Sequence, residues 1–267
     1  MNGFSLYLRY AAISVRAQML YPTAFLMMTA GQFLLLVASF AGMYALFTRF
    51  GAIEGWRLAE VALFFAIANL AFSMADAANR GFDVFGPLFV KTGDFDRLLL
   101  RPRPTALQVL GLELRLTRLG RGLQGLVVLV IAVRAGGHTW GLDDVLVLLA
   151  AIAGGAALFS ALLILQATLS FWTVDSLEIA NTVTYGGVEA SQYPLDIYQP
   201  WFARLLIGAV PLGCVIYYPT LYLLDRSDTL GAPDWFRPVA PLAGFLFLAL
   251  ALWAWRFGER RYRSTGT

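Results

Sequence analysis

Two carboxylates stand two residues apart in a short polar stretch of a chain that carries few charges. The stretch runs from Gly93 to Pro104 and reads GDFDRLLLRPRP, so Asp94 and Asp96 have the spacing of a divalent-cation site. Such a site would suit an enzyme acting on lipid or glycan carriers, but it would need further oxygen ligands. The chain has one His and one Cys, which together cannot build a zinc site. We therefore favour a charged helix face over a metal centre, and we predict no metal and no catalytic residue.

Two glycine-rich segments carry the letters of nucleotide-binding motifs without their context. Gly120 to Gly125 reads GRGLQG, but no strand precedes it and no βαβ unit surrounds it. Gly81 and Gly86 have the spacing of the two P-loop glycines, but Pro87 follows where the motif requires lysine. We therefore expect no cofactor in this chain, and work driven by ATP would need a separate ATPase.

Polar side chains also form two stripes at helical spacing within apolar segments. The first consists of Asn69, Ser73, Asp76 and Arg80. The second consists of Asp175, Glu178, Thr182, Tyr185, Glu189 and Gln192. Polar groups at membrane depth face either a wet cavity or the interior of a helix bundle, and packing between helices is the alternative to a pathway. The candidates to line a pathway are Asn69, Ser73, Thr182, Tyr185 and Glu189.

The elements that position these groups are predicted to be membrane-spanning helices. Apolar side chains make up 59% of the chain and charged ones 14%, against roughly 25% charged in soluble domains. Charge-free gaps such as Arg16 to Arg49 exceed the roughly 20 residues of helix that cross a bilayer. We predict an all-α integral membrane protein, a single domain over 1–267 with six transmembrane helices. The spans are expected at 22–47, 58–78, 115–134, 145–172, 174–193 and 238–256.

Three further helical elements are expected outside or partly outside the membrane. The segment 1–20 has apolar residues at helical spacing and predicts an amphipathic helix in the interface. The segment 86–104, which contains the charged stretch, is predicted to be a cytoplasmic helical segment between spans 2 and 3. The segment 200–224 is predicted to be re-entrant and to precede span 6. Arginines crowd the start of span 3, which is therefore expected to begin in water and to continue directly from the charged stretch.

Two segments compete to be the fifth span. The segment 174–193 is polar along one face, whereas 205–224 is strongly apolar but is broken by Pro211 and Pro219. The tryptophans favour the first segment, because the membrane boundaries then collect them. The outer boundary would hold Trp56, Trp140, Trp201 and Trp235, and the inner one Trp172, Trp253 and Trp255.

The distribution of basic residues predicts the orientation in the membrane. With 174–193 as the fifth span, most cations lie on the inner side, as the positive-inside rule requires, and both termini are cytoplasmic. The slight basic excess is explained by this topology and does not indicate a nucleic-acid partner. We expect a multi-pass protein of the plasma (inner) membrane, surrounded by the lipid bilayer.

The order of these elements and several motifs resemble a known family. Gly55 and Trp56 precede the second span. The charged stretch matches a signature of the form G-x-x-D-x-L-L-x-R-P through Gly93, Asp96, Leu98, Leu99, Arg101 and Pro102. The later runs YPLDIYQPW and VPLGCVIYYP also match. Over essentially its whole length, the chain resembles the permease subunits of type-2 ABC exporters, in the six-span family that carries this loop.

The resemblance implies that the charged stretch is a coupling helix seated in a groove of an ABC ATPase subunit. Two ATPase subunits, carrying ATP and Mg, would bind the cytoplasmic face, and a second permease, identical or paralogous, would complete the pathway. Polar contacts are expected from Asp94, Asp96, Arg97 and Arg101, while Phe95 and Leu98 are expected to fill the groove. The motion would then pass into spans 2 and 3. A membrane-embedded enzyme on lipid or glycan carriers, or an ATP-independent transporter or scaffold, is the alternative.

Overall fold

The computed structural model describes residues 3–137, 139–173 and 177–262, and 76% of the chain is helical. Asp175 of the second polar stripe and the first residues of the predicted fifth span lie outside the described residues. The longer helices are α1 (Gly3–Met19), α2 (Pro22–Phe50), α3 (Leu58–Ala78), α7 (Leu119–Gly136), α8 (Leu142–Leu169), α9 (Leu177–Ser191), α10 (Pro200–Gly208) and α13 (Leu242–Glu259). The short ones are α4 (Arg80–Asp83), α5 (Phe95–Leu99), α6 (Thr105–Leu110), α11 (Tyr218–Leu223) and α12 (Phe236–Val239).

Shorter turns join these helices. Two π-helical turns cover Gly86–Val90 and Gly213–Tyr217, and two 3₁₀ turns cover Leu116–Arg118 and Leu195–Ile197. Two short antiparallel strands, β1 (Ala52–Ile53) and β2 (Trp56–Arg57), form a hairpin between α2 and α3.

Five helices are long and apolar enough to cross a membrane, or six if one bent pair is counted as a span. The five cover Pro22–Phe50, Leu58–Ala78, Leu116–Gly136, Leu142–Leu169 and Phe236–Glu259. The bent pair consists of Pro200–Gly208 and Gly213–Leu223, which meet at 85°. The protein is therefore an all-α integral membrane protein, as predicted.

The central helix of the bundle is α3, which packs against α7, α8 and α9. Its sequence is apolar on every side, as expected of a helix surrounded by other helices. Glycines allow close approach: Gly125 of α7 lies against Leu70, and Gly154 of α8 lies against the backbone of Pro241 at the start of α13. Helix α2 packs on α7 at the edge of the bundle and leaves most of its surface exposed.

The two ends of the bundle are named here by one residue each. The end that holds the hairpin is the Trp56 end, and the opposite end, which holds α5, is the Phe95 end. Along α3 the chain runs from the Trp56 end to the Phe95 end, and along α7 it runs back, since Arg118 pairs with Asp76 and Ala132 lies by Glu60.

The expected continuous helix from the charged stretch into span 3 is wrong. Helix α6 ends at Leu110, and helical structure resumes only at Leu116. The side chain of Gln18 in α1 fixes this break: its Nε2 donates to the carbonyl oxygen of Leu114 at 2.6 Å, and its Oε1 accepts from the amide of Leu116 at 2.9 Å. The start of span 3 is thus tied to the N-terminal helix rather than to the charged stretch.

The segment between Asp196 and Arg226 returns to the end of the bundle at which it starts. The Trp56 indole Nε1 donates to Asp196 at 3.1 Å, and Arg226 Nε lies 3.1 Å from Glu60. Both contacts are at the first turn of α3 or the hairpin before it. Between them the chain turns through the 85° bend, so this segment goes into the bundle and comes back.

Candidate functional site for a partner subunit

Helix α5 is mounted on a cluster of aromatic rings at the Phe95 end. The aromatic cluster consists of Phe82, Phe85, Phe95, Phe171, Trp255 and Tyr262. The ring of Phe95 lies 5.2 Å from that of Phe171 and 4.9 Å from that of Tyr262, and the rings of Phe85 and Trp255 are 4.9 Å apart. Most of these pairs meet edge to face, the arrangement that aromatic quadrupoles favour. The cluster joins α5 to α4, to the end of α8 and to the end of α13.

The predicted role of Phe95 and Leu98 in filling a partner's groove does not fit their position. Both side chains are buried within this chain, where Phe95 contacts the aromatic cluster. The apolar side chains that α5 presents outward are instead Leu99 and Leu100, and Leu100 is 85% exposed. A five-residue helix is too short for its buried face to be read from periodicity, which is why the sequence did not separate the two pairs.

Hydrogen bonds fix the charged stretch from its other side. Gln108 Nε2 donates to the carbonyl oxygens of Leu98 at 3.0 Å and of Arg103 at 2.9 Å. The indole of Trp255 donates to Thr105 Oγ1 at 3.0 Å, and Thr105 in turn donates to Glu259 at 2.9 Å. Sequence analysis missed Thr105, Gln108 and Trp255, because nothing near Thr105 in the chain points to partners some 150 positions away.

The charged residues of the stretch lie on the outside of this mount. Asp94 pairs with Arg97 at 2.9 Å, and the Arg97 side chain is largely exposed, as is Arg101. Asp96 is half-buried. Exposed ion pairs contribute little to folding, so these charges are available to another molecule. Within residues 3–137, 139–173 and 177–262, no three His, Cys, Asp or Glu side chains lie close enough together to hold a metal ion.

The first polar stripe lies between packed helices. Asn69, Ser73 and Asp76 are all buried. Asn69 donates to the carbonyl oxygen of Phe65 at 2.8 Å, Ser73 lies beside Gly122 of α7, and Asp76 pairs with Arg118 at 3.3 Å. Within this chain, therefore, Asn69 and Ser73 form helix contacts and face no open cavity.

The second polar stripe reaches the surface. The ring of Tyr185 lies 5.5 Å from that of Phe72, so α9 crosses α3 in the half toward the Phe95 end. Glu189 is 64% exposed at its side chain and lies 4.0 Å from Arg121, which is mostly buried over the Phe72 ring. Thr182 is exposed on the same helix. These residues, unlike Asn69 and Ser73, can face a second chain or water.

At the Trp56 end, one arginine holds the returning segment to the hairpin. Arg226 lies over the Trp56 ring at 4.1 Å, pairs with the buried Glu60 and donates to the carbonyl oxygen of Gly55 at 2.7 Å. Glu54 and Gly55 both have positive φ, as the two-residue turn of a tight hairpin requires. The Gly55-Trp56 pair thus provides a turn and a ring for this clamp.

Removing the arginine of this clamp should loosen the returning segment. Arg226→Gln takes away a hydrogen bond to a charged group, worth about 1.5 kcal/mol, which corresponds to roughly tenfold more opening. Cys214 is buried in that segment and is the chain's single cysteine. We expect maleimide to label Cys214 about tenfold faster in this variant. Arg49→Gln, which removes another arginine near the same end, should leave the rate unchanged; equal rates in all three proteins would contradict the clamp.

A bundle of apolar helices with a charged helix rigidly mounted at one end defines a multi-pass membrane protein built to work with another subunit. The family model described as "ABC-2 family transporter protein" matches residues 33–266. The match covers most of the chain, and the protein belongs to this family. It is thus a membrane component of the permease type in an ABC transporter, as its loop motif predicts. Comparisons with curated proteins and with solved structures give no match.

Proposed function

We propose that this protein is the permease subunit of an ATP-driven exporter and that α5 is its coupling helix. The observation that carries the proposal is the mounting of α5: its charged side and Leu100 face outward, while Phe95 fixes it to the aromatic cluster. A docking face must be held rigidly if the movement of a partner is to be passed on. The partner would be an ABC ATPase, in two copies, which would carry the ATP and Mg.

The contacts of α5 suggest a route for the movement. The sequence analysis expected it to pass into spans 2 and 3. The aromatic cluster, however, connects α5 to Phe171 after α8 and to Trp255 in α13, and the Thr105–Glu259 hydrogen bond adds a second link to α13. We therefore propose that spans 4 and 6 receive the motion first, and that α3 receives it through its contact with α8.

The Phe95 end would be cytoplasmic in this arrangement. Both termini then lie in the cytoplasm of a cell whose plasma (inner) membrane holds the protein. The segment between Asp196 and Arg226 would be re-entrant from the outer leaflet, which leaves α9 and its flanking residues as the fifth span. Support comes from the two contacts that bring both ends of that segment to the hairpin.

A second permease, identical or paralogous, would complete the pathway. The exposed residues Thr182, Tyr185 and Glu189 of α9 are the candidates to line it, since Asn69 and Ser73 are buried between helices. Helix α2 leaves an apolar surface for lipid and for the second permease.

The proposal is tested by the charge of the coupling helix. Asp96→Arg reverses a charge on the docking face without changing the buried side of α5. We expect the variant to insert normally, whereas stimulation of the partner's ATPase activity and export by the complex are lost. Both would be measured in proteoliposomes that contain the permease with its ATPase. Export at the wild-type rate by the variant would refute the coupling role.

A further inference from the structure

A cavity of about 580 Å³ lies between α8, α9 and α13 and has no part in the proposed coupling. This volume is in the range of small-molecule sites, roughly 300–1,000 Å³. Its lining is almost wholly apolar and includes Leu162, Leu165, Leu169, Val183, Val210 and Phe247. Among the described residues that line it, none is charged. The lining suits a hydrocarbon chain and offers no partner to a charged headgroup.

One buried polar group in the wall has an unused hydrogen-bonding atom. Gln166 is only 2% exposed, and its Nε2 donates to Asp83 at 3.4 Å. That contact takes the amide nitrogen, whereas Oε1 has no hydrogen-bond partner among the described residues. A buried carbonyl oxygen without a donor is costly, so a ligand with a hydroxyl hydrogen would gain by supplying one.

The cavity opens sideways in the half of the bundle toward the Phe95 end. Leu169 is the last residue of α8, close to Phe171 of the aromatic cluster, and Val210 lies at the bend of the returning segment. Leu169 and Val183 are both exposed at the rim. Apolar side chains exposed at a span's surface contact lipid, so the opening faces the bilayer. This depth, in the inner leaflet, rests on the proposed orientation; the contents of the cavity do not.

We infer that this cavity binds a neutral, hydroxyl-bearing lipid of the membrane, with its acyl chain along α8 and α13 and its hydroxyl donating to Gln166 Oε1. The chemical class is an acylglycerol. The site is separate from the surface of α9 proposed to line the pathway, because Val183 faces the cavity whereas Glu189 faces Arg121.

The test compares two probes on the full-length protein in detergent, by native mass spectrometry. Monooleoylglycerol carries hydroxyl donors, and methyl oleate has the same chain without one. We expect the wild type to bind monooleoylglycerol roughly two- to tenfold more tightly. Gln166→Leu should bind both probes equally. Equal binding of the two probes by the wild type would overturn the inference.

A second variant locates the site without touching Gln166. Val183→Trp adds a large side chain at the exposed rim, where it can fill the cavity without disturbing the core, and should abolish binding of both probes. Val127→Trp makes the same change on an exposed position of α7 and should bind like the wild type. Unchanged binding in Val183→Trp would show that the lipid sits elsewhere. No ATPase is needed, so this outcome is independent of the coupling test.

Discussion

Leu100→Asp is expected to abolish productive docking of the ATPase while the permease remains folded and inserted. The side chain is 85% exposed, so the change removes no packing from this chain. An exposed leucine beside arginines on a cytoplasmic helix has the composition of an interface centre, and a carboxylate there would be buried without a partner. Loss of a central contact costs about 2 kcal/mol or more, which lowers affinity for the ATPase by roughly 30-fold.

The measurement is the affinity of the purified permease for its ATPase, together with permease-stimulated ATP hydrolysis. Leu142→Asp is the matched control, since Leu142 is also highly exposed but begins α8 at the Trp56 end. We expect it to behave as the wild type. If Leu100→Asp bound the ATPase with unchanged affinity, Leu100 would not belong to the docking face.

Trp255→Ala is expected to separate docking from transport. Trp255 is 1% exposed, contacts Phe82, Phe85 and Phe171 and donates to Thr105. Truncation of a buried aromatic costs about 3–5 kcal/mol, and here the loss falls on the mount of α5. The outward face of α5 is unchanged, so the ATPase should still bind, but less of its movement would reach α13. We expect fewer molecules exported per ATP hydrolysed, with a lower melting temperature.

Trp253 provides the control for this experiment. It stands two residues away on the same helix and is 68% exposed, so Trp253→Ala should keep both stability and coupling. Trp255→Phe keeps an aromatic ring but loses the hydrogen bond to Thr105, and should fall between the wild type and Trp255→Ala. If export per ATP were normal in Trp255→Ala despite its lower melting temperature, the aromatic cluster would be structural only.

The spans could be predicted because long apolar runs have one solution in lipid. Span 2 was predicted at 58–78, and the helix runs from Leu58 to Ala78. Its N-terminus is marked by local chemistry, as Glu60 accepts from the Arg57 amide at 2.7 Å. The break before span 3 could not be predicted, because its cause is Gln18, almost 100 residues earlier in the chain. Local signals fix where a helix runs, whereas distant contacts fix where it is interrupted.

The direction in which side chains face was predicted less well. A polar stripe looks the same whether it lines a lumen or meets a neighbouring helix, and only the glycines of α7 decide for Ser73. Tryptophans are ambiguous for the same reason. Trp172, Trp201, Trp235 and Trp253 are exposed, as boundary residues should be, but Trp56 and Trp255 are buried in contacts with other rings.

The aromatic cluster has a consequence for the order in which the protein is made. Phe82, Phe85 and Phe95 leave the ribosome early, whereas Trp255 and Tyr262, which complete the cluster, are among the last residues translated. Until the final helix has inserted, α5 has neither its ring contacts nor the Trp255–Thr105 hydrogen bond. A nascent or prematurely terminated chain would therefore lack a fixed docking face, and the ATPase would be recruited only to permeases whose synthesis is finished.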